Sequence, residues 1–209
     1  MQISITLIII IFTSLISFQG FNRYDVIDKL KHSPYKEDNR KEFYRLLTSG
    51  FVHADWIHLL INMFVLYMFG TTVETYLISL FGNPMGKIFF LLLYILTIIL
   101  ANTPTFLQHK NNPSFSSIGA SGAVSGIVFI YILLQPWKMI YMFFVIPMPA
   151  VIAGIGYLIY SSWAANQERG RVDHSAHFTG AIAGMLIMFV LHRQIASDFL
   201  NRLVRDFPF

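Results

Sequence analysis

This sequence predicts an all-α membrane protein: six transmembrane helices in one bundle, with a long structured loop between the first and the second. Three observations carry the prediction. Of 209 residues, 55% are hydrophobic and only 12% charged, against roughly a quarter charged in an average soluble domain. Six apolar stretches recur along the chain, several of them near the ~20 residues that a spanning helix needs. Twenty Phe and ten Tyr add rings suited to lipid contact and to the membrane interface. The absence of cysteine excludes a disulfide framework, a thiolate metal site and a cysteine nucleophile. No metal or cofactor is expected, and a net charge of +4 is no argument for nucleic acid.

The first stretch, residues 3–18, lacks a basic leader and a small-residue cleavage site, so it reads as a retained helix. Residues 20–56 form the one long connection, with 7 of the 15 Lys/Arg and 6 of the 11 Asp/Glu. Balanced charge mixed with Phe21, Tyr24, Tyr35, Phe43, Tyr44, Phe51 and Trp56 predicts a folded interfacial element rather than a linker. The second and third stretches are 57–81 and 87–101. Between 102 and 117, Pro104, Asn111, Asn112 and Pro113 mark a surface loop. The fourth stretch, 118–134, is ended by Pro136. The fifth, 139–160, holds Pro147 and Pro149, expected to kink it, and the sixth is 175–191. Stretches below the usual spanning length imply a thinned bilayer or a tightly tied bundle. No internal repeat appears, so residues 1–209 read as one membrane domain.

Polar side chains in such stretches are costly and normally face the bundle interior or a water-filled cavity. His58, Asn62 and Glu74 lie on the second stretch, Ser121 and Ser125 on the fourth, His177 on the sixth. His58 and Asn62 are four apart and share a helix face; they serve either as hydrogen-bonding glue between helices or in a site. Glu74 reads as a structural hydrogen-bonding residue near the opposite end. Asp173, four before His177, is either a helix cap, the reading its position favours, or a third partner for the histidine.

Gly122 and Gly126 form a small-x-x-x-small pattern, and so do Gly180 and Gly184. Such patterns let helix backbones approach closely. Packed together, the two helices place Ser121 and His177 near the same end of their contact. A serine hydroxyl within reach of an imidazole is what an activated nucleophile requires.

These residues resemble the rhomboid family of intramembrane serine proteases, from about Glu42 to Val190. Glu42-Phe43-Tyr44-Arg45 is similar to the family's aromatic-Arg element. His53 with His58-x-x-x-Asn62, then Gly70 and Glu74, matches its second-helix motif. Gly119-Ala120-Ser121-Gly122 matches its nucleophile motif, and Ala176-His177 followed by Gly180 and Gly184 its sixth-helix motif. The sequence departs from the pattern at Ser125, where many members carry an aromatic residue that packs on the histidine.

The resemblance implies that Ser121 is the nucleophile and His177 the general base and then acid, a dyad that needs no Asp173. It implies an oxyanion site made by the Ser121 N–H with Asn62 and His58. It also implies single-span transmembrane proteins as substrates, cut in or near the lipid bilayer. The family topology puts the 20–56 loop outside, against the positive-inside expectation. A multi-pass protein of a bacterial inner (cell) membrane is the expected setting. Two other classes stay open. A catalytically silent rhomboid-like client-binding protein is disfavoured because both serine and histidine are present. An unrelated six-span transporter is disfavoured because no inverted repeat appears.

Overall fold

A computed structural model describes residues 4–142, 145–165, 167 and 173–207. Residue 3 of the first expected stretch, residues 143–144 of the fifth and the extreme ends of the 1–209 domain lie outside them. The chain runs α1 (Ile5–Asn22), α2 (Tyr24–Leu30), α3 (Pro34–Arg40), α4 (Arg45–Thr48), a 3-10 turn (Ser49–Phe51), α5 (Trp56–Phe81), α6 (Met85–His109) and α7 (Ser121–Leu134). It continues through β1 (Met139–Met142), β2 (Ile146–Pro149), α8 (Ala150–Ala165), α9 (His174–Leu191) and α10 (Ile195–Arg205). The protein is mostly helical. Among the described residues four helices, α1, α5, α6 and α9, are long and apolar enough to cross a membrane; α7 and α8 are shorter apolar helices.

α7 lies at the centre, with most of its length buried. Leu66, Val73 and Leu77 of α5, Phe90, Leu93 and Tyr94 of α6, and Met188 of α9 join its Ile127 and Ile130 in one core. The outer faces stay apolar: Ile11 and Leu15 of α1, Ile57 and Leu60 of α5 and Ile155 and Ile159 of α8 are all exposed. An apolar exterior of this extent suits lipid rather than water.

The fifth expected helix is corrected. β1 and β2 pair antiparallel, Met139 opposite Pro149 and Met142 opposite Ile146, and the helix starts only at Ala150. Proline lacks an N–H and pushes the residue before it towards extended backbone. Pro147 and Pro149 therefore do not kink a helix here; they keep Ile146–Pro149 extended. The Ala150 and Val151 N–H groups then donate to the carbonyls of Lys138 and Pro136 (both 2.9 Å). The third helix is longer than expected and carries Pro104 within it, a position tolerated where neighbouring helices re-satisfy the freed backbone. α10 is an amphipathic addition that the apolar-stretch reading passed over, tied to α7 by Arg202 Nη1 donating to the Leu133 carbonyl (3.2 Å).

Between α1 and α5 the chain forms the short helices α2, α3 and α4 and the 3-10 turn. Arg45 is buried and donates from Nε to Glu42 (2.6 Å) and from Nη1 to the carbonyls of Asp28 and Lys31 (2.7 and 3.1 Å). A buried guanidinium with this many acceptors holds three segments together. His32 and Ser117 exchange backbone hydrogen bonds (3.0 and 3.1 Å), fastening this region to the strand of chain that leads into Ser121.

Glu74 works as a helix cap from outside the helix. It accepts from Ser4 Oγ (2.6 Å), the Ile5 and Thr6 N–H groups (2.8 and 3.0 Å) and Thr6 Oγ1 (2.7 Å). The first N–H groups of a helix have no partner within it, and a carboxylate there also meets the favourable end of the dipole. α5 thus anchors the start of α1.

Candidate active site

The two glycine pairs meet. A Cβ on Gly180 would overlap the Gly122 carbonyl, and one on Gly184 would stand 2.5 Å from Gly126 Cα. Only hydrogen at these positions permits so close an approach of α7 and α9. That approach brings His177 Nε2 to 2.6 Å from Ser121 Oγ. The serine opens α7, so its N–H belongs to the unpaired amino end of that helix.

The turn that presents Ser121 is fixed from three sides. Gly119 has φ +123°, where a side chain is strained, and a Cβ there would stand 2.7 Å from the His58 ring. Its N–H donates to the Ser49 carbonyl (3.0 Å). The Ala120 N–H donates to His53 Nε2 (3.3 Å), which assigns the imidazole proton to Nδ1. Nδ1–H then meets Ser17 Oγ at 2.9 Å, and that hydroxyl donates to the Phe51 carbonyl (3.1 Å). Burial first, and the neighbouring His58 second, push the His53 pKa down to about 3. The ring is therefore neutral, as its acceptor role demands.

Asp173 caps α9. It accepts from the Ala176 N–H (2.9 Å), from Thr105 Oγ1 (3.1 Å) and from Ser117 Oγ (3.1 Å). Those contacts join α9 to α6 and to the segment before Ser121. They give the carboxylate three partners, none of them the His177 ring.

Ser121, His177, Asn62 and His58 all line one cavity of about 510 Å³. Asn62 is buried and donates one amide hydrogen to the His58 carbonyl at 2.9 Å; an asparagine amide has a second to offer. The structure brings serine and histidine into contact, and it sets Asn62 and His58 on the wall of the same cavity. A second cavity of about 280 Å³ also borders Ser121 and Asn62, with Val65, Val124, Val128 and Phe129 in its apolar lining.

Sequence reasoning missed Tyr157. Its ring stands nearly parallel to that of His177, centroids 6.2 Å apart and planes at 19°. Its hydroxyl is 2.6 Å from Ser125 Oγ. The one available signal was its place in the Gly154-Ile155-Gly156-Tyr157 run, and a tyrosine in an apolar stretch ordinarily reads as an interface residue. Among the described residues no cluster of three or more His, Asp or Glu side chains has the arrangement to hold a metal ion.

Comparison with known proteins adds four findings. A family model described as the Rhomboid domain matches residues 40–194. The chain is 30% identical over 173 residues to Rhomboid-like protein 11, chloroplastic, of Arabidopsis thaliana, covering 77% of this chain and 57% of that protein. It is 31% identical over 157 residues to RHOMBOID-like protein 12, mitochondrial, of the same plant (69% and 46%). It is 28% identical over 165 residues to Rhomboid protease GluP of Bacillus subtilis (78% and 29%). The chain spans about half the length of the first two relatives. With their organellar names, they lend no support to the bacterial inner membrane expected above.

Proposed function

The chain belongs to the rhomboid family, an integral membrane family that includes intramembrane serine proteases, and on that premise we propose that it is a serine endopeptidase. The carrying observation is the 2.6 Å contact between Ser121 Oγ and His177 Nε2, both of which line one cavity. His177 Nε2 takes the Ser121 proton as Oγ attacks the scissile carbonyl carbon. The oxygen of that carbonyl becomes an anion held by the Ser121 N–H, with the Asn62 amide and the His58 ring as further donors. Each such donor is typically worth about 3–4 kcal/mol of barrier. The intermediate collapses, the C–N bond breaks, and His177 returns the proton to the leaving amine. A water, deprotonated by the same imidazole, then hydrolyses the ester on Ser121. General base catalysis of this kind contributes roughly 10²–10⁴-fold.

The substrates proposed are single-span transmembrane proteins cut in or near the membrane. A helical peptide bond is shielded by its own turns, so the segment must unwind to an extended strand before Oγ reaches it. The test is cleavage of a single-span reporter protein in proteoliposomes. Wild type is expected to cut it, while Ser121→Ala and His177→Ala each lose at least roughly 10³-fold in kcat. Cleavage undiminished in Ser121→Ala would overturn the assignment.

A further inference from the structure

We propose that Tyr157 is a positioning residue for His177, holding the imidazole plane so that Nε2 faces Ser121. This role rests on the Ser121–His177 dyad proposed above. In a Ser-His-Asp triad a carboxylate orients the imidazole, but here both Asp173 oxygens are taken up by Ala176, Thr105 and Ser117. Among the described residues the ring's hydrogen bond is to Ser121 alone. A ring held at one nitrogen still swings about that bond. Packing against its faces and edges must then set its plane.

Tyr157 supplies a face: its ring lies at 19° to the imidazole with centroids 6.2 Å apart, within the range over which aromatic pairs attract. His174 supplies an edge, centroids 5.8 Å apart at 84°. Tyr157 is itself fixed at its far end by the 2.6 Å hydrogen bond to Ser125 Oγ. Ser125 stands one helical turn beyond Ser121 on the same face of α7. The four side chains therefore close a circuit: Ser121 to His177 across α7 and α9, His177 to Tyr157 across α9 and α8, Tyr157 to Ser125 back onto α7. The close seat of α8 on α7 permits this, since a Cβ on Gly154 would stand 2.7 Å from Ile132.

The test compares Tyr157→Leu, Tyr157→Phe and Ser125→Ala in the full chain, with thermal unfolding recorded for each. Removing the ring is expected to lower kcat between roughly tenfold and a hundredfold with KM unchanged, because displacement of a reacting group by an ångström has that effect. Tyr157→Phe and Ser125→Ala are expected to lower kcat by similar, smaller factors. Combined, they should do no more than either alone, since both break one bond. An unchanged kcat in Tyr157→Leu, or a loss confined to KM, overturns the proposal. Should Tyr157→Leu fail to fold, the Tyr157→Phe/Ser125→Ala cycle decides: multiplying effects overturn it. A second readout does not need turnover. In protein labelled at histidine, the His177 ring protons should show a ring-current shift in wild type and Tyr157→Phe. An unshifted His177 in wild type overturns the stack even if the protease assignment stands. A shifted His177 in a protein that cuts nothing would instead fault the protease assignment.

Discussion

Burial sets the protonation of His53, and with it the hydrogen bonds that hold the chain ahead of Ser121. Its folded pKa of about 3 lies below the ~6.5 of a free imidazole. Between those values the unfolded chain binds a proton that the folded one refuses. Stability from this group is thus fully present above about pH 6.5 and is lost as pH falls towards 3, with a slope of at most about 1.4 kcal/mol per pH unit. Thermal unfolding in detergent should show the melting temperature of wild type falling faster between pH 7 and 5 than that of His53→Gln. Parallel curves would contradict the neutral, proton-accepting His53 that the Ala120 contact requires. At the same scale, Ser121, His177 and the capping preference of Asp173 were legible because each sits in a short local pattern. Tyr157 was not, because its partners come from two other helices and no spacing along α8 announces them.

The α7–α9 contact is the element on which the site depends. In lipid, helix association comes from close packing and hydrogen bonds rather than from the hydrophobic effect, so hydrogen-sized side chains at the crossing matter disproportionately. Gly180→Ala forces the helices apart at the Gly122 carbonyl and should cost about 1–3 kcal/mol of stability together with most of the activity. Gly156→Ala on α8 is the matched control, since its Cβ would meet nothing within 4 Å. Activity and melting temperature there should stay near wild type. Equal losses at both positions would contradict the crossing as described. The small-x-x-x-small spacing was readable from the chain because both its residues lie on one helix. The pairing of β1 with β2 was not readable, since a short apolar run does not distinguish strand from helix. Two prolines that suggested a kink instead hold a strand.

At the scale of the molecule, length decides depth. α7 has 14 residues and spans about 21 Å, short of the ~30 Å hydrocarbon core, whereas α5 and α6 have 26 and 25 residues. The shorter α7 carries Ser121 at its first turn, where the serine borders the cavity of about 510 Å³. Composition alone indicated a membrane protein, and the order of motifs indicated the family. Lengths could not be read as surely. Pro104 lies inside α6, and α10 interleaves Asp198, Arg202 and Arg205 with its apolar residues, so it does not stand out as an apolar stretch. The central proposal is that Ser121 is a nucleophile activated by His177. The most direct measurement is reaction of the purified protein with a fluorophosphonate, followed by mass spectrometry of the modified peptide. The adduct is expected on Ser121, absent in Ser121→Ala and strongly reduced in His177→Ala. An adduct on another residue, or one that persists in Ser121→Ala, would contradict that role.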